Sequence, residues 1–316
     1  MKKIYVVLLV FFLFSCKSQQ NRNLHPFQRI ENYNGNVNLT IEDKLLNTPK
    51  IIIDIINNMD HVDYYSSYEL DNHERELFLN YFNFLPKKYK EIIEEKVVGI
   101  YFVNNFLGGG MTTAIFDKAG NMYIAMFLNP KILHKNISEW INFRDNSAFT
   151  NVENIITLKI ECDSEFFALI HTLVHEASHV YDYYNFLTPY TEKILINKKF
   201  PTEFVENIWI DYNIPNLDFD YSEREYMSFY NLGEKLNIND AIKIYFFLEN
   251  TPFSSLYGSL TWAEDFAESF TWYYLRKYFN VEYITTIYKN ERIMLIYNPN
   301  LNQLVKSRYK IFEIIE

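Results

Sequence analysis

Cysteine, glycine and basic residues are all scarce in this chain of 316 residues. Two cysteines cannot support a disulfide-rich fold. Three of the eight glycines are consecutive at residues 108–110, but no Gly-Lys-Ser/Thr follows them, which excludes a phosphate-binding loop. We interpret them as a bend, with a close approach of a ligand as the alternative. The formal net charge of −10 disfavours nucleic acid and anionic lipid as partners.

Long apolar runs are also missing, apart from the one that opens the chain. Lys2 and Lys3 precede the apolar residues 4–14, which are too few to span a bilayer comfortably, and the chain turns polar after Cys16. This pattern predicts a signal peptide over residues 1–15. No later segment is long and apolar enough to cross a membrane, so we expect a soluble body.

The residues around the predicted cut, Leu13-Phe14-Ser15-Cys16, resemble the lipobox of bacterial lipoproteins. The resemblance implies lipidation of Cys16 and an extracytoplasmic protein held at the bacterial cell envelope by its lipid. Residues 16–40, rich in Asn and Gln, are then expected to form a flexible tether. An ordinary secreted protein that is cut elsewhere is the alternative. The inner membrane, the outer membrane and the cell surface all remain open as locations.

The second cysteine, Cys162, has no partner once Cys16 carries lipid, so no intrachain disulfide is expected. We interpret Cys162 as a small thiol of the core and not as a nucleophile, because the sequence indicates no base beside it.

Helix and strand patterns alternate along residues 41–316 without an internal repeat or a linker. A strand is predicted over residues 97–106, and residues 112–116 and 121–128 are predicted to pair as a hairpin. The pattern after the middle of the chain is mostly helical. We therefore predict one α+β domain over residues 41–316, with a division into two lobes at about residue 185 as the alternative.

The most informative motif is His175-Glu176-x-x-His179, within an apolar run that predicts a helix. Residues four apart on a helix lie one above the other, so the two imidazoles can bind one metal ion while Glu176 reaches a water on it. This is the ligand pattern of a zinc hydrolase. The alternative is an amphipathic helix that carries two histidines by chance.

A third ligand must be a carboxylate if it lies after the motif, because no histidine follows His179. Glu264 and Glu268 are stacked on one face of a predicted helix rich in aromatic residues, where two acids would repel without a cation. We predict that Glu264 binds the metal and that Glu268 accepts the spare N–H of a ligand imidazole. The reserve candidates for the ligand are Asp265, Glu268, Glu203 and Glu206.

Two short stretches resemble the gluzincin metallopeptidases, and most closely the catalytic domain of the anthrax lethal factor type. The stretches are His175-Glu176-x-x-His179-x-x-Asp182-Tyr183 and Glu264-x-Phe266-Ala267-Glu268-x-Phe270. The resemblance implies a zincin-like α+β domain with a small β-sheet, an active-site helix and a mostly helical C-terminal part. It also implies one Zn²⁺ per chain and a catalytic tyrosine, for which Tyr257, seven residues before Glu264, is the match.

These assignments predict a peptidase in which zinc activates a water and Glu176 is the general base. Tyr257 is the predicted hydrogen-bond donor to the oxyanion, since no histidine after His179 is present to donate that bond. Asp182 is expected to hold the helix or to orient a ligand, and His171 to support the ligands without binding metal. The substrate is predicted to be a polypeptide that pairs along the hairpin.

A surface lipoprotein that uses the same scaffold to bind a protein partner without catalysis is the alternative function. In that case the metal is structural or absent. The presence of Glu176 argues for the enzyme, because a structural metal site needs no general base.

Overall fold

The computed structural model describes residues 24–151, 155–162, 164–189 and 201–316, and it shows an α+β fold. The strands are β1 (Leu45–Leu46), β2 (Ser66–Ser67), β3 (Val97–Asn104), β4 (Gly110–Phe116), β5 (Met122–Leu128), β6 (Phe149–Thr150), β7 (Ile156–Glu161), β8 (Trp209–Asp211), β9 (Ile214–Pro215), β10 (Leu236–Asn237), β11 (Ile284–Lys289) and β12 (Arg292–Tyr297). The α-helices are α1 (Lys50–Met59), α2 (Asn72–Phe82), α3 (Lys87–Lys96), α4 (Ile137–Asn146), α5 (Ala168–Asn185), α6 (Ala241–Leu248), α7 (Trp262–Phe279), α8 (Gln303–Ser307) and α9 (Tyr309–Ile315).

The main sheet has the strand order β1-β3-β5-β4, and β2 also pairs with β3. Strand β3 is buried almost throughout, as expected for a strand covered on both faces. Strands β4 and β5 pair in antiparallel fashion, which confirms the predicted hairpin. Gly120 has φ +85° in the turn between them, a conformation that favours glycine. The hairpin therefore places β4 at the end of the sheet order.

Two long helices, α5 and α7, pack against each other beside this sheet. Helix α5 is buried along nearly its whole length, which explains its apolar composition. It begins after Phe167 without a side-chain cap. Helix α7 begins after its N-cap residue Thr261, whose Oγ1 accepts a hydrogen bond from the backbone N–H of Glu264 at 3.2 Å. The cap fixes where the first turn of α7, with Glu264, begins.

The second half of the chain contains more strand than the sequence indicated. Strands β11 and β12 form a hairpin that pairs with β7 in a three-stranded sheet. Asn290 and Glu291 both have positive φ in its turn, at 47° and 65°, as two-residue hairpins require. The prediction of a mostly helical C-terminal part is therefore incomplete, because this short turn lacks the usual glycine signal.

The predicted tether over residues 16–40 is too long. Phe27 is buried and its ring stacks on Phe127 at 5.6 Å, and the Tyr33 hydroxyl donates a hydrogen bond to the carbonyl oxygen of Phe27 at 2.6 Å. Residues 24–40 thus pack on the main sheet, because their few aromatic side chains have apolar surface to bury. The signal peptide, Cys16 and residues 16–23 lie outside the described residues.

One hydrophobic core combines both halves of the proposed domain. Phe270 of α7 stacks on Tyr89 of α3 at 4.8 Å between ring centroids, and Tyr89 stacks on Tyr181 of α5 at 4.4 Å. This shared core favours the single domain over two separate lobes.

Within the described part of the chain, no helix combines the length and the apolar character needed to cross a membrane.

Candidate functional site

Helix α5 places His175 and His179 one above the other, as the spacing of four residues predicts. Their Nε2 atoms lie 3.2 Å apart, and both side chains are almost fully buried. Glu264, on the first turn of α7, brings its Oε2 atom to 3.1 Å from Nε2 of His175 and 3.6 Å from Nε2 of His179. The two helices thus bring three ligand atoms of the right chemical type together.

The spacing of these three atoms fits a zinc ion. A tetrahedral ion that binds its ligands at 2.0–2.1 Å separates them by about 3.3–3.4 Å from one another. The three observed separations, 3.1, 3.2 and 3.6 Å, lie around that value. His175, His179 and Glu264 can therefore hold a metal ion.

The electrostatics of the group favour a cation at the same point. Burial raises the pKa of Glu264, but the two imidazoles, His179 above all, outweigh it and lower the pKa to about 2. Burial lowers the pKa of His175, but Glu264 and Glu268 outweigh it and raise the pKa to about 10. The partly exposed carboxylate of Glu264 and the buried one of Glu268 thus stabilise a positive charge at His175, whether a proton or a metal ion carries it.

Glu268 lies behind His175, on the next turn of α7. Its Oε1 is 3.1 Å from Nδ1 of His175 and accepts a hydrogen bond from Nη1 of Arg144 at 2.7 Å. Its Oε2 accepts hydrogen bonds from Ser255 Oγ at 2.7 Å and Trp272 Nε1 at 3.1 Å. The contact with Nδ1 is close but not aligned as a hydrogen bond. Glu268 is thus held where it can orient the imidazole of His175.

His171 lies one turn before His175 and faces Glu268, not the ligand group. Its Nε2 is 3.5 Å from Oε1 of Glu268. Burial lowers the pKa of His171 to about 4, so the ring is neutral near pH 7. Its position is that of a supporting residue.

Glu176 is fixed by a residue that the sequence did not single out, Thr112 of β4. The Thr112 hydroxyl donates a hydrogen bond to Oε2 of Glu176 at 2.7 Å. Burial raises the pKa of Glu176, although His175, His179 and this hydrogen bond oppose the rise. A carboxylate with a raised pKa beside a metal site is suited to take up a proton.

Gly110, the last of the three consecutive glycines, allows Glu176 and β4 to approach each other, and Gly109 allows a close approach to Trp140. A Cβ atom on Gly110 would lie 2.6 Å from Oε1 of Glu176, and one on Gly109 would lie 3.1 Å from Nε1 of Trp140. Neither glycine has positive φ, so glycine is required there because a Cβ atom has no room and not because of the backbone conformation. These glycines therefore make room for side chains of α4 and α5 and not for a ligand's backbone. The sequence alone did not indicate this contact.

Tyr257 lies beside the ligands, with its ring centroid 6.0 Å from that of His175. The guanidinium carbon of Arg144 lies 4.9 Å from the centre of the same ring. Burial raises the pKa of Tyr257 well above its usual value, so the hydroxyl stays protonated. Its placement allows it to donate a hydrogen bond in the cleft.

The remaining candidates have structural partners. Asp182 accepts a hydrogen bond from the backbone N–H of Thr188 at 2.7 Å and thus holds the chain that follows α5. Asp265 pairs with Arg308 and does not face the ligands. Glu203 and Glu206 are exposed on the surface. Cys162 is a free, buried thiol whose pKa burial raises to about 12, which confirms the core assignment.

A cavity of about 540 Å³ opens onto the ligand group. Its lining includes the three candidate metal ligands, Glu176, Tyr257 and residues 108–110. The N-terminal segment with His25 and Phe27 forms part of its wall. The cavity has the size of a substrate cleft.

Comparison of the chain with models of protein families, with curated proteins and with solved structures found no match.

Proposed function

We propose that this protein is a zinc-dependent peptidase of the gluzincin type with a zincin-like fold. The observation that carries the proposal is the meeting of His175, His179 and Glu264 at the spacing of zinc ligands, next to Glu176. Glu264 is 89 positions from His175 in the chain. A chance motif on α5 does not account for a carboxylate from so distant a helix at ligand distance.

In the proposed enzyme the two histidines and Glu264 hold zinc, which when bound acidifies a water and polarises a carbonyl group. Glu176 takes the proton of the attacking water. The hydrogen bond from Thr112 to Oε2 of Glu176 orients the carboxylate for this step. Glu176 then returns the proton to the leaving amine.

Tyr257 supplies the protein's own hydrogen bond to the negative oxygen that develops during hydrolysis. Its raised pKa keeps the O–H available as a donor. The contact of Arg144 with the ring face limits the movement of the phenol. Tyr257 is thus a donor that is oriented before the substrate binds.

A polypeptide is the proposed substrate, bound in extended form beside β4. This strand ends the sheet order, and Thr112 links it directly to Glu176. A chain that follows β4 would therefore pass the general base and the ligand group. Binding of a protein partner without cleavage is the alternative, in which Glu176 would have no chemical task.

Zinc analysis with a peptide-cleavage assay tests this function. We expect one zinc per chain, cleavage of members of a peptide library, loss of cleavage with a chelator and its return with Zn²⁺. His179→Ala should bind zinc at least ~10-fold more weakly, since a ligand is lost, whereas His73→Ala on the exposed face of α2 should change nothing. Zinc binding without any cleavage would support the scaffold and contradict the enzyme.

We also propose that the mature chain is held at the bacterial cell envelope by lipid on Cys16. The support is the apolar run and the Leu13-Phe14-Ser15-Cys16 motif. We expect the wild-type protein in the detergent-extractable membrane fraction and Cys16→Ser outside that fraction. Equal membrane recovery of both forms would rule out a lipid on this cysteine.

A further inference from the structure

The first residues of the described chain build one wall of the cleft. His25, Phe27 and Gln28 all line the cavity that contains the candidate metal ligands. Arg29, the next residue, forms a parallel β-bridge with Phe116 at the end of β4. The N-terminal segment is therefore part of the cleft and not an appendage beside it.

This wall is attached to the rest of the fold. The ring of Phe27 stacks on that of Phe127 at 5.6 Å. Leu24 packs against the main core, and its carbonyl oxygen accepts a hydrogen bond from Nε of Arg29 at 3.1 Å. The chain therefore joins the fold at Leu24, directly next to the wall of the cleft.

The wall is also close to the proposed general base. Phe127 of β5 is the register partner of Met111 of β4. Thr112, the next residue of β4, donates its hydroxyl hydrogen bond to Glu176 at 2.7 Å. Two adjacent strands thus connect the wall to Glu176, so the point where the chain joins the fold lies close to the candidate catalytic groups.

Only eight peptide units separate Leu24 from Cys16, the proposed site of the lipid. An extended chain spans about 3.3–3.6 Å per residue, so Leu24 lies at most about 26–29 Å from Cys16. A tether that continued to residue 40, as the sequence predicted, would reach about 79–86 Å. The packing of residues 24–40 on the sheet thus shortens the reach about threefold.

The charge of the body does not favour its adsorption to the bilayer. Without Lys2 and Lys3 of the predicted signal peptide, the formal net charge of −10 becomes −12. A body of this charge is repelled by anionic lipid headgroups. The tether, and not attraction to the surface, then determines how far the cleft can lie from the bilayer.

We propose that the substrates are polypeptides anchored in the same membrane and cut in the segment next to the bilayer. The wall of the cleft at Leu24 stays within about 29 Å of the lipid-bearing residue, so bonds held farther from the bilayer meet the cleft less often. A substrate with its own anchor is confined to the same layer, which raises its effective concentration. The proposal rests on the proposed peptidase function and on the proposed lipid at Cys16, and it adds a substrate class to them.

A lipid-anchored peptide that carries the same cleavable sequence twice tests this substrate class. The sequence is one that the soluble Cys16→Ser protein cleaves. One copy follows the lipid after about five residues, and the other follows a proline-rich spacer of about 40 residues, which extends to about 124 Å.

The peptide is placed on phosphatidylcholine vesicles that also carry the lipidated wild-type protein. We expect the near copy to be cleaved first, at least about 3-fold more often than the far copy, as measured by mass spectrometry of the first products. The factor allows for tilting of the spacer, which returns the far copy to the bilayer for part of the time.

Lengthening the tether of the enzyme should remove this preference. The same proline-rich spacer inserted between Gln20 and Asn21 should lower the near-to-far ratio to about 1, whereas the same spacer added after Glu316 should leave the ratio unchanged. Neither insertion falls within a helix or strand of the described fold.

The possible failures can be told apart. Equal cleavage of the two copies by the wild-type protein, or a ratio that the inserted spacer does not change, would overturn the membrane-proximal substrate class alone. Absence of the wild-type protein from the vesicles would overturn it together with the lipid anchor. A zinc-bound protein that cleaves no peptide, soluble or anchored, would overturn the peptidase and this inference with it.

Discussion

For the proposed peptidase, replacing Glu176 by Gln is expected to lower kcat/KM for peptide cleavage by roughly 10²- to 10⁴-fold and to leave the zinc content of the protein unchanged. The amide has nearly the shape of the carboxylate and can still accept the hydrogen bond of Thr112, but it cannot take a proton from water. Glu176 also lies outside the three ligand atoms that form the metal group. The expected loss is therefore one of chemistry and not of metal binding.

The control for this variant is Glu161→Gln, at a half-exposed side chain on β7 whose partner is the equally exposed Lys159. It removes one carboxylate from the same part of the chain and should leave kcat/KM within about 2-fold. Activity of Glu176→Gln close to the wild-type value would exclude Glu176 as general base. Loss of zinc from the variant would instead make Glu176 part of the metal site.

Arg308→Met is expected to destabilise the protein by about 3–5 kcal/mol, the usual cost of leaving a buried charge without its partner. Arg308 donates two hydrogen bonds to Asp265, at 2.8 and 2.7 Å, and both side chains are buried. Methionine fills similar space but leaves the carboxylate with Trp209 Nε1 and Ser269 Oγ as its donors. Urea unfolding in the presence of a chelator measures the free energy without a contribution from bound metal.

Lys87→Met is the matched control, since Lys87 and its partner Glu91 on α3 are both exposed. An exposed pair of this kind contributes about 0–1 kcal/mol. Similar losses for the two variants would show that the buried pair contributes no more than an exposed one. A loss confined to Arg308→Met would place the pair among the main supports of α7.

The parts of the site that were predictable depend on local spacing. The four-residue interval between His175 and His179 determines their common face on any helix. Because no histidine follows His179, a third ligand after the motif had to be a carboxylate such as Glu264. Thr112 and Arg144 were not predictable, because their partners Glu176 and Glu268 lie 64 and 124 positions away. Nothing local in the chain marks a threonine or an arginine for such contacts.

Composition was a weaker guide than spacing. Residues 24–40 have the polar character of a tether, yet Phe27 and Tyr33 are enough to pack the segment on the sheet. The hairpin β4–β5 was predictable because its turn and its β-rich flanks are contiguous. The pairing of β11 with β7 joins distant segments and therefore depends on the tertiary fold.

Two neighbouring acids of α7 have different partners, Glu264 contacting the histidines and Asp265 contacting Arg308. Inserting or deleting one residue just before them would rotate both by about 100° and break both sets of contacts together. Relatives of this protein should therefore keep the register Glu264-Asp265-x-x-Glu268, which is the pattern to use in searching for them.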